Sequence, residues 1–113
     1  MMCIFCKIVN REIPVKLIYE DEFVVAFDDI NPTAPAHFLV IPKIHISTLN
    51  EITSENSNML AKIFEVIPKL AKEKGVDEKG YRVVANCNSE GGQEVFHIHF
   101  HVIGGKQCKW PAV

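Results

Sequence analysis

The run Phe96-His97-Ile98-His99-Phe100-His101-Val102-Ile103 constrains this chain more than any other stretch. Polar and apolar residues alternate through it, and successive side chains of a strand point to opposite faces. Read as a strand, it puts His97, His99 and His101 on one face and Phe96, Ile98, Phe100 and Val102 on the other. Cβ atoms two residues apart on a strand lie roughly 6.5–7 Å from each other. That spacing lines imidazoles along an anion. Three imidazoles on one face repel one another when all are protonated, so the face calls for partners that hold them. The preceding Gly91-Gly92-Gln93 loop is expected to point backbone N–H groups at the same anion.

Composition limits what that anion is. The chain has 113 residues, 48% hydrophobic and 23% charged, which predicts one globular domain over residues 1–113. A net charge of −2 leaves no basic surface for a long nucleic acid, so the ligand should be small. No apolar run reaches membrane length and no signal peptide is visible, so a cytoplasmic protein is expected. There, the four cysteines are expected as thiols or metal ligands, not disulfides.

Cys3-Ile4-Phe5-Cys6 opens a short helix, and its two-residue spacing lets both thiols reach one metal. Two buried thiols on an amphipathic turn satisfy the same pattern. Residues 15–19 and 23–27 read as two strands of a hairpin around the turn Glu20-Asp21-Glu22. The near-continuous apolar run His37-Phe38-Leu39-Val40-Ile41-Pro42 predicts a central strand buried on both faces. His37, at its start, fits a core histidine bonded to a backbone carbonyl as well as it fits a site.

A long helix follows, capped by Thr53 or Ser54. Met59, Leu60, Ile63, Phe64, Ile67, Leu70 and Ala71 form its apolar stripe, and Gly75 stops it. Pro68 inside it predicts a kink. Residues 81–86 make a fourth strand and the histidine run a fifth. The architecture expected is α+β: a five-stranded antiparallel sheet, one long helix and one short N-terminal helix.

His97-x-His99-x-His101 followed by Val102-Ile103 is similar to the histidine-triad motif. Ile4-Phe5-Cys6-Lys7-Ile8, Glu12-Ile13-Pro14, Phe27-Asp28-Asp29-Ile30, the run from Pro35 to Lys43, and Trp110-Pro111 extend the likeness over nearly the whole chain. The chain resembles the Hint branch of the histidine-triad (HIT) superfamily. That resemblance implies a homodimer with the sheet continued across the two-fold. It implies hydrolysis of the phosphorus–nitrogen bond of purine nucleoside 5′-phosphoramidates, such as derivatives of AMP or GMP, through a nucleotidyl-histidine.

The middle imidazole is flanked on both sides, and the resemblance makes His99 the nucleophile. His101 is then the donor to a phosphoryl oxygen, and His37 the residue standing behind the triad. Asp29 and Ile30 match the ribose contacts. Ile4, Phe5, Ile8, Ile13 and Phe27 match the nucleobase pocket. Asn86, Gly92 and Gln93 match the phosphate side, and Trp110 matches a tail residue that shapes leaving-group choice in the partner's site. Glu94 departs from the pattern, since animal Hint proteins carry a serine there; it is a general acid or turns away and leaves its N–H. Zinc-bearing members imply a structural zinc on Cys3, Cys6, His45 and His97, which competes with a catalytic use of His97. A dinucleoside polyphosphate hydrolase and a non-catalytic nucleotide- or zinc-binding adaptor are the alternatives. One metal shared by all three triad histidines is excluded, because the first and third lie ~13 Å apart on a strand.

Overall fold

The computed structural model describes residues 3–113; Met1 and Met2, where a signal peptide would begin, lie outside them. Helix α1 (Ile4–Val9) leads to strands β1 (Leu17–Glu20), β2 (Val24–Asp28) and β3 (Ala36–Pro42). Helix α2 (Asn58–Glu73), β4 (Tyr81–Val84) and β5 (Phe100–Gly104) follow. The strands form one antiparallel sheet in the order β1-β2-β3-β5-β4. This is the α+β architecture expected from the sequence.

The order puts β3 at the centre, where all seven of its residues are buried. One sheet face supplies Val24, Ala26, Phe38, Val40, Phe100 and Val102 to the main core. Ile63, Val66, Ile67 and Leu70 of α2, one helical face at i, i+3, i+4 and i+7, cover it. The opposite face carries Val25, Phe27, Leu39 and Ile41, covered by Phe5 and Ile8 of α1. Alternation along β3 therefore sends His37 to the α1 face, and its pairing with β5 brings His101 opposite Leu39 on that same face.

Helix α2 begins later than Thr53 or Ser54. Thr53 accepts from the Glu55 N–H (3.2 Å), and Asn56 Oδ1 accepts from the Thr53 N–H (2.7 Å), so these residues close a separate turn. The helix continues through Pro68, which lies on the solvent side where water can take the carbonyl that loses its donor. Gly75 ends it at φ +74°, a left-handed geometry that suits glycine. No helix among the described residues is long and apolar enough to cross a membrane.

The histidine run is only partly a strand. Pairing between β3 and β5 starts at Val40–Phe100, so His97 and His99 precede β5 and His101 alone of the three lies on it. The next step of the ladder would need an N–H from Pro42, which has none. The Ile98 N–H turns instead to the Ile46 carbonyl (2.7 Å). Phe96, ahead of this anchor, is 45% exposed, whereas Ile98, Phe100 and Val102 are buried as the alternation predicts.

Candidate active site and metal-ligand group

His99 is buried, and its ring sits edge-on to Phe5 with centroids 5.1 Å apart. Its Nδ1 lies 2.8 Å from the main-chain oxygen of His97. A carbonyl only accepts, so Nδ1 carries the proton and Nε2 keeps its lone pair. The His101 ring lies 5.1 Å away, centroid to centroid. The Thr33 N–H donates to His37 Nδ1 (3.1 Å), which places the proton of neutral His37 on Nε2. That Nε2–H donates to His101 Nδ1 (2.9 Å) and leaves the His101 proton on Nε2. The two imidazoles therefore end differently: His99 with a bare nitrogen, His101 with an N–H. Burial pushes the His101 pKa down to about 4, helped by His99 and His37 and opposed by the Asp29 carboxylate. His101 is thus a neutral donor at physiological pH.

Asp29 stands behind this pair. Its Oδ2 is 3.3 Å from His37 Nε2 and 3.8 Å from His101 Nδ1, and its Oδ1 accepts from the Asn31 N–H. These three side chains resemble a metal triplet by proximity. Their chemistry does not fit one. A metal on His37 Nε2 would force the proton to Nδ1, against the N–H of Thr33. The group is a hydrogen-bond relay.

His97 turns the other way. Its buried ring donates from Nε2 to the Pro42 carbonyl (2.8 Å), so the Nδ1 lone pair faces the thiols of Cys3 (3.3 Å) and Cys6 (3.5 Å). His45, on the exposed side, has Nδ1 3.6 Å from Cys3 Sγ and 3.3 Å from Cys6 Sγ. Its Nε2 meets the Ser47 hydroxyl at 3.2 Å. Bonds of 2.3 Å to sulfur and 2.0–2.1 Å to nitrogen around a tetrahedral zinc give sulfur–nitrogen edges of about 3.5 Å. The four observed separations bracket that value. The group can hold a metal ion. Burial and the neighbouring Cys3 push the Cys6 thiol pKa up, so without a cation it keeps its proton. Helix α1 presents both sulfurs because Cys3 is its N-cap, with Sγ accepting from the Cys6 N–H.

A protein-family model described as the HIT domain matches residues 10–108. The chain belongs to the HIT-domain family. It is 48% identical to the purine nucleoside phosphoramidase of Escherichia coli K12 over 103 residues, covering 91% of this chain and 87% of that one. The solved HIT family hydrolase of Legionella pneumophila superposes with a TM-score of 0.96 at 50% identity, covering 99% of this chain and all of that one. The histidine triad nucleotide-binding protein of Candida albicans does so at 0.83 and 37% identity, covering 99% of this chain and 85% of the other.

Phe5, Ile8 and Phe27 are buried together, with Ile13 packed against them, while Ile4 is half exposed. Ile30 is 90% exposed at the rim beside Asp29. Gln93, expected at the phosphate, is buried and occupied: its amide donates to the Ser47 and Val95 carbonyls and its oxygen accepts from the Asn88 N–H. The loop N–H groups are also occupied, since Gly91 and Gln93 donate to Asn88 and Gly92 donates to Ser89. The Gly-Gly-Gln segment is therefore a self-bonded turn, with Gly92 at φ +82° beside the Asn86 amide, and not the open anion cradle expected. Glu94 is exposed, as is Trp110 at 85%, which does not cap the core of its own chain. Thr33, Pro42 and Ser47 were not foreseeable from the sequence. The Thr33 N–H and the Pro42 and Ser47 carbonyls act as main-chain groups, which leave no residue-type signal.

Proposed function

We propose that this hydrolase cleaves the phosphorus–nitrogen bond of purine nucleoside 5′-phosphoramidates, with His99 as nucleophile. The observation that carries the reading is the His99 tautomer, held by the His97 carbonyl with a bare Nε2. The 48% identity to a purine nucleoside phosphoramidase supports the substrate class. Phe5, Ile8, Ile13 and Phe27 take the base, and Asp29 with Ile30 the ribose. His99 Nε2 attacks the α-phosphorus. A nitrogen–phosphorus bond forms to His99, and the bond to the leaving nitrogen breaks with its electron pair. That nitrogen takes a proton from water or Glu94 at the open rim. His101 donates its Nε2–H to a phosphoryl oxygen, and Asn86 flanks the phosphate with the Gly92 turn that Gln93 braces. Water then displaces His99 and releases the nucleoside monophosphate. Holding the reactants aligned supplies on the order of 7–11 kcal/mol of the barrier.

Zinc on Cys3, Cys6, His45 and His97 serves as a structural crosslink in this reading. A homodimer joined along β4 is also part of it: β4 is a sheet edge whose four residues are all partly exposed. In that arrangement Trp110 reaches the partner's site.

A second reading, hydrolysis of dinucleoside polyphosphates, is favoured by one observation. A cavity of about 290 Å³ carries Arg82, Lys106 and Lys109 with no carboxylate in its lining. Its Ile103 lies two residues beyond His101 on the same face. An anionic leaving group would meet cations there.

The test is turnover of an adenosine 5′-phosphoramidate by the wild type and His99→Ala, with intact mass of quenched samples. AMP release by the wild type alone, with a transient AMP-sized adduct, is expected. Equal turnover by both removes His99 from the role. Nucleotide binding without turnover by either moves the reading to an adaptor, and faster turnover of diadenosine triphosphate moves it to the polyphosphate.

A further inference from the structure

Two of the contacts that hold the His99 ring, the His97 carbonyl and the Phe5 ring, are interleaved with the Cys/His group. The His99 Nδ1–H donates to the carbonyl of His97, whose own ring faces the thiols. The other end of that same peptide, the Ile98 N–H, donates to the carbonyl of Ile46, the residue after His45. A peptide is planar, so its C=O and N–H cannot turn independently. The orientation of one peptide plane, His97–Ile98, is therefore set between two members of the group. The second contact is the Phe5 ring edge-on to His99, and Phe5 lies between Cys3 and Cys6 on α1.

We propose that the Cys3/Cys6/His45/His97 centre, when loaded with zinc, sets the alignment of the His99 nucleophile. His97 is the positioning residue through which it acts. Without a cation, the thiols and imidazoles of the group meet one another through weak contacts, and α1 has no strong polar tie through them to the His45 and His97 segments. With a cation, four bonds join these segments and lock the peptide that presents the acceptor to His99. The role in catalysis rests on the reading of His99 as nucleophile; the structural coupling does not.

The experiment uses the zinc-loaded protein, the same protein after chelation and dialysis, and His45→Ala, whose exposed position leaves the core untouched. Two readouts do not depend on activity: hydrogen exchange of the Ile98 amide and the ¹H–¹⁵N signature of the His99 Nδ1 proton. Zinc removal should speed Ile98 exchange at least about tenfold and broaden or shift the His99 signal, while α2 amides stay protected. The kcat for a phosphoramidate should fall about 10–100-fold, the range found when a group behind a site's direct ligands is lost, with a smaller change in KM. Adding zinc back should reverse these effects in the dialysed protein but not in His45→Ala. Unchanged Ile98 and His99 signals in a folded, zinc-free protein overturn the proposal, as does a failure of the wild type to hold zinc. If chelation unfolds the chain, the same two signals in His45→Ala decide between coupling and its absence. If the zinc-loaded protein shows no turnover, the nucleophile reading fails while the exchange data still decide the coupling.

Discussion

His37 Nε2 lies 2.9 Å from His101 Nδ1, and the Thr33 N–H behind His37 dictates which of the two nitrogens carries the proton. The relay ends in an N–H on His101 Nε2, the ring nitrogen opposite the one that faces His37. Replacing His37 by alanine removes the donor that keeps His101 in this tautomer. We expect kcat for a phosphoramidate to fall roughly 10–100-fold, with KM changed by much less. Single-turnover kinetics with His37→Ala checks this, and a raised KM with kcat unchanged would place His37 in ground-state binding instead.

His101 also makes stability depend on pH. Its pKa is held at about 4 in the folded chain, chiefly by burial, against about 6.5 when unfolded. Between these values the unfolded chain binds a proton that the folded chain refuses. Stability is therefore full above pH 6.5 and declines as pH falls towards 4. The side chain is one-fifth exposed, so the loss should be about 1–3 kcal/mol. Urea unfolding at pH 7 and pH 4.5 should show a smaller drop for His101→Gln than for wild type.

Gly104 faces Ala36 and Tyr81 across the ladders and lies under Val76. A Cβ at this position would meet Val76 Cβ at 2.9 Å and its methyl carbons at 3.0 and 3.1 Å. Gly104→Ala should destabilise by about 1–3 kcal/mol through overpacking. Adding Val76→Ala should recover part of the loss, because the double mutant frees the space the new methyl needs. Denaturant midpoints for the two single variants and the pair test the coupling.

Pro68 occupies the solvent face of α2, where its ring denies a hydrogen bond to the carbonyl of Phe64. Pro68→Ala restores a donor in the helix interior and raises local propensity. The gain is partly offset by a looser unfolded chain, leaving about 1–2 kcal/mol of net stabilisation. A higher melting temperature with unchanged turnover is the expected result, and a lower one would show that the proline shapes α2 to fit the sheet.

Much of the fold is written locally. The apolar spacing of Ile63, Ile67 and Leu70 and the continuous run Phe38 to Ile41 mark their elements without help from distant residues. Gly75 marks a helix stop because a left-handed residue there favours glycine. The alternation from Ile98 to Val102 correctly predicts which side chains enter the core.

Sequence by itself thus determined the element types, the buried faces and, through the motif, the family the chain belongs to. Only the tertiary structure decided what each imidazole does. The strand ends short of His97 and His99 because Pro42 has no N–H to extend the ladder, and that break turns one ring to the thiols and the other to Phe5. The tautomers of His97, His99 and His37 follow from the Pro42 carbonyl, the His97 carbonyl and the Thr33 N–H. Every residue type except proline has the same backbone donor and acceptor, so no reading of side-chain identities reveals which of them meets which ring. Folding alone brings a carbonyl and an imidazole 55 positions apart to within 2.8 Å.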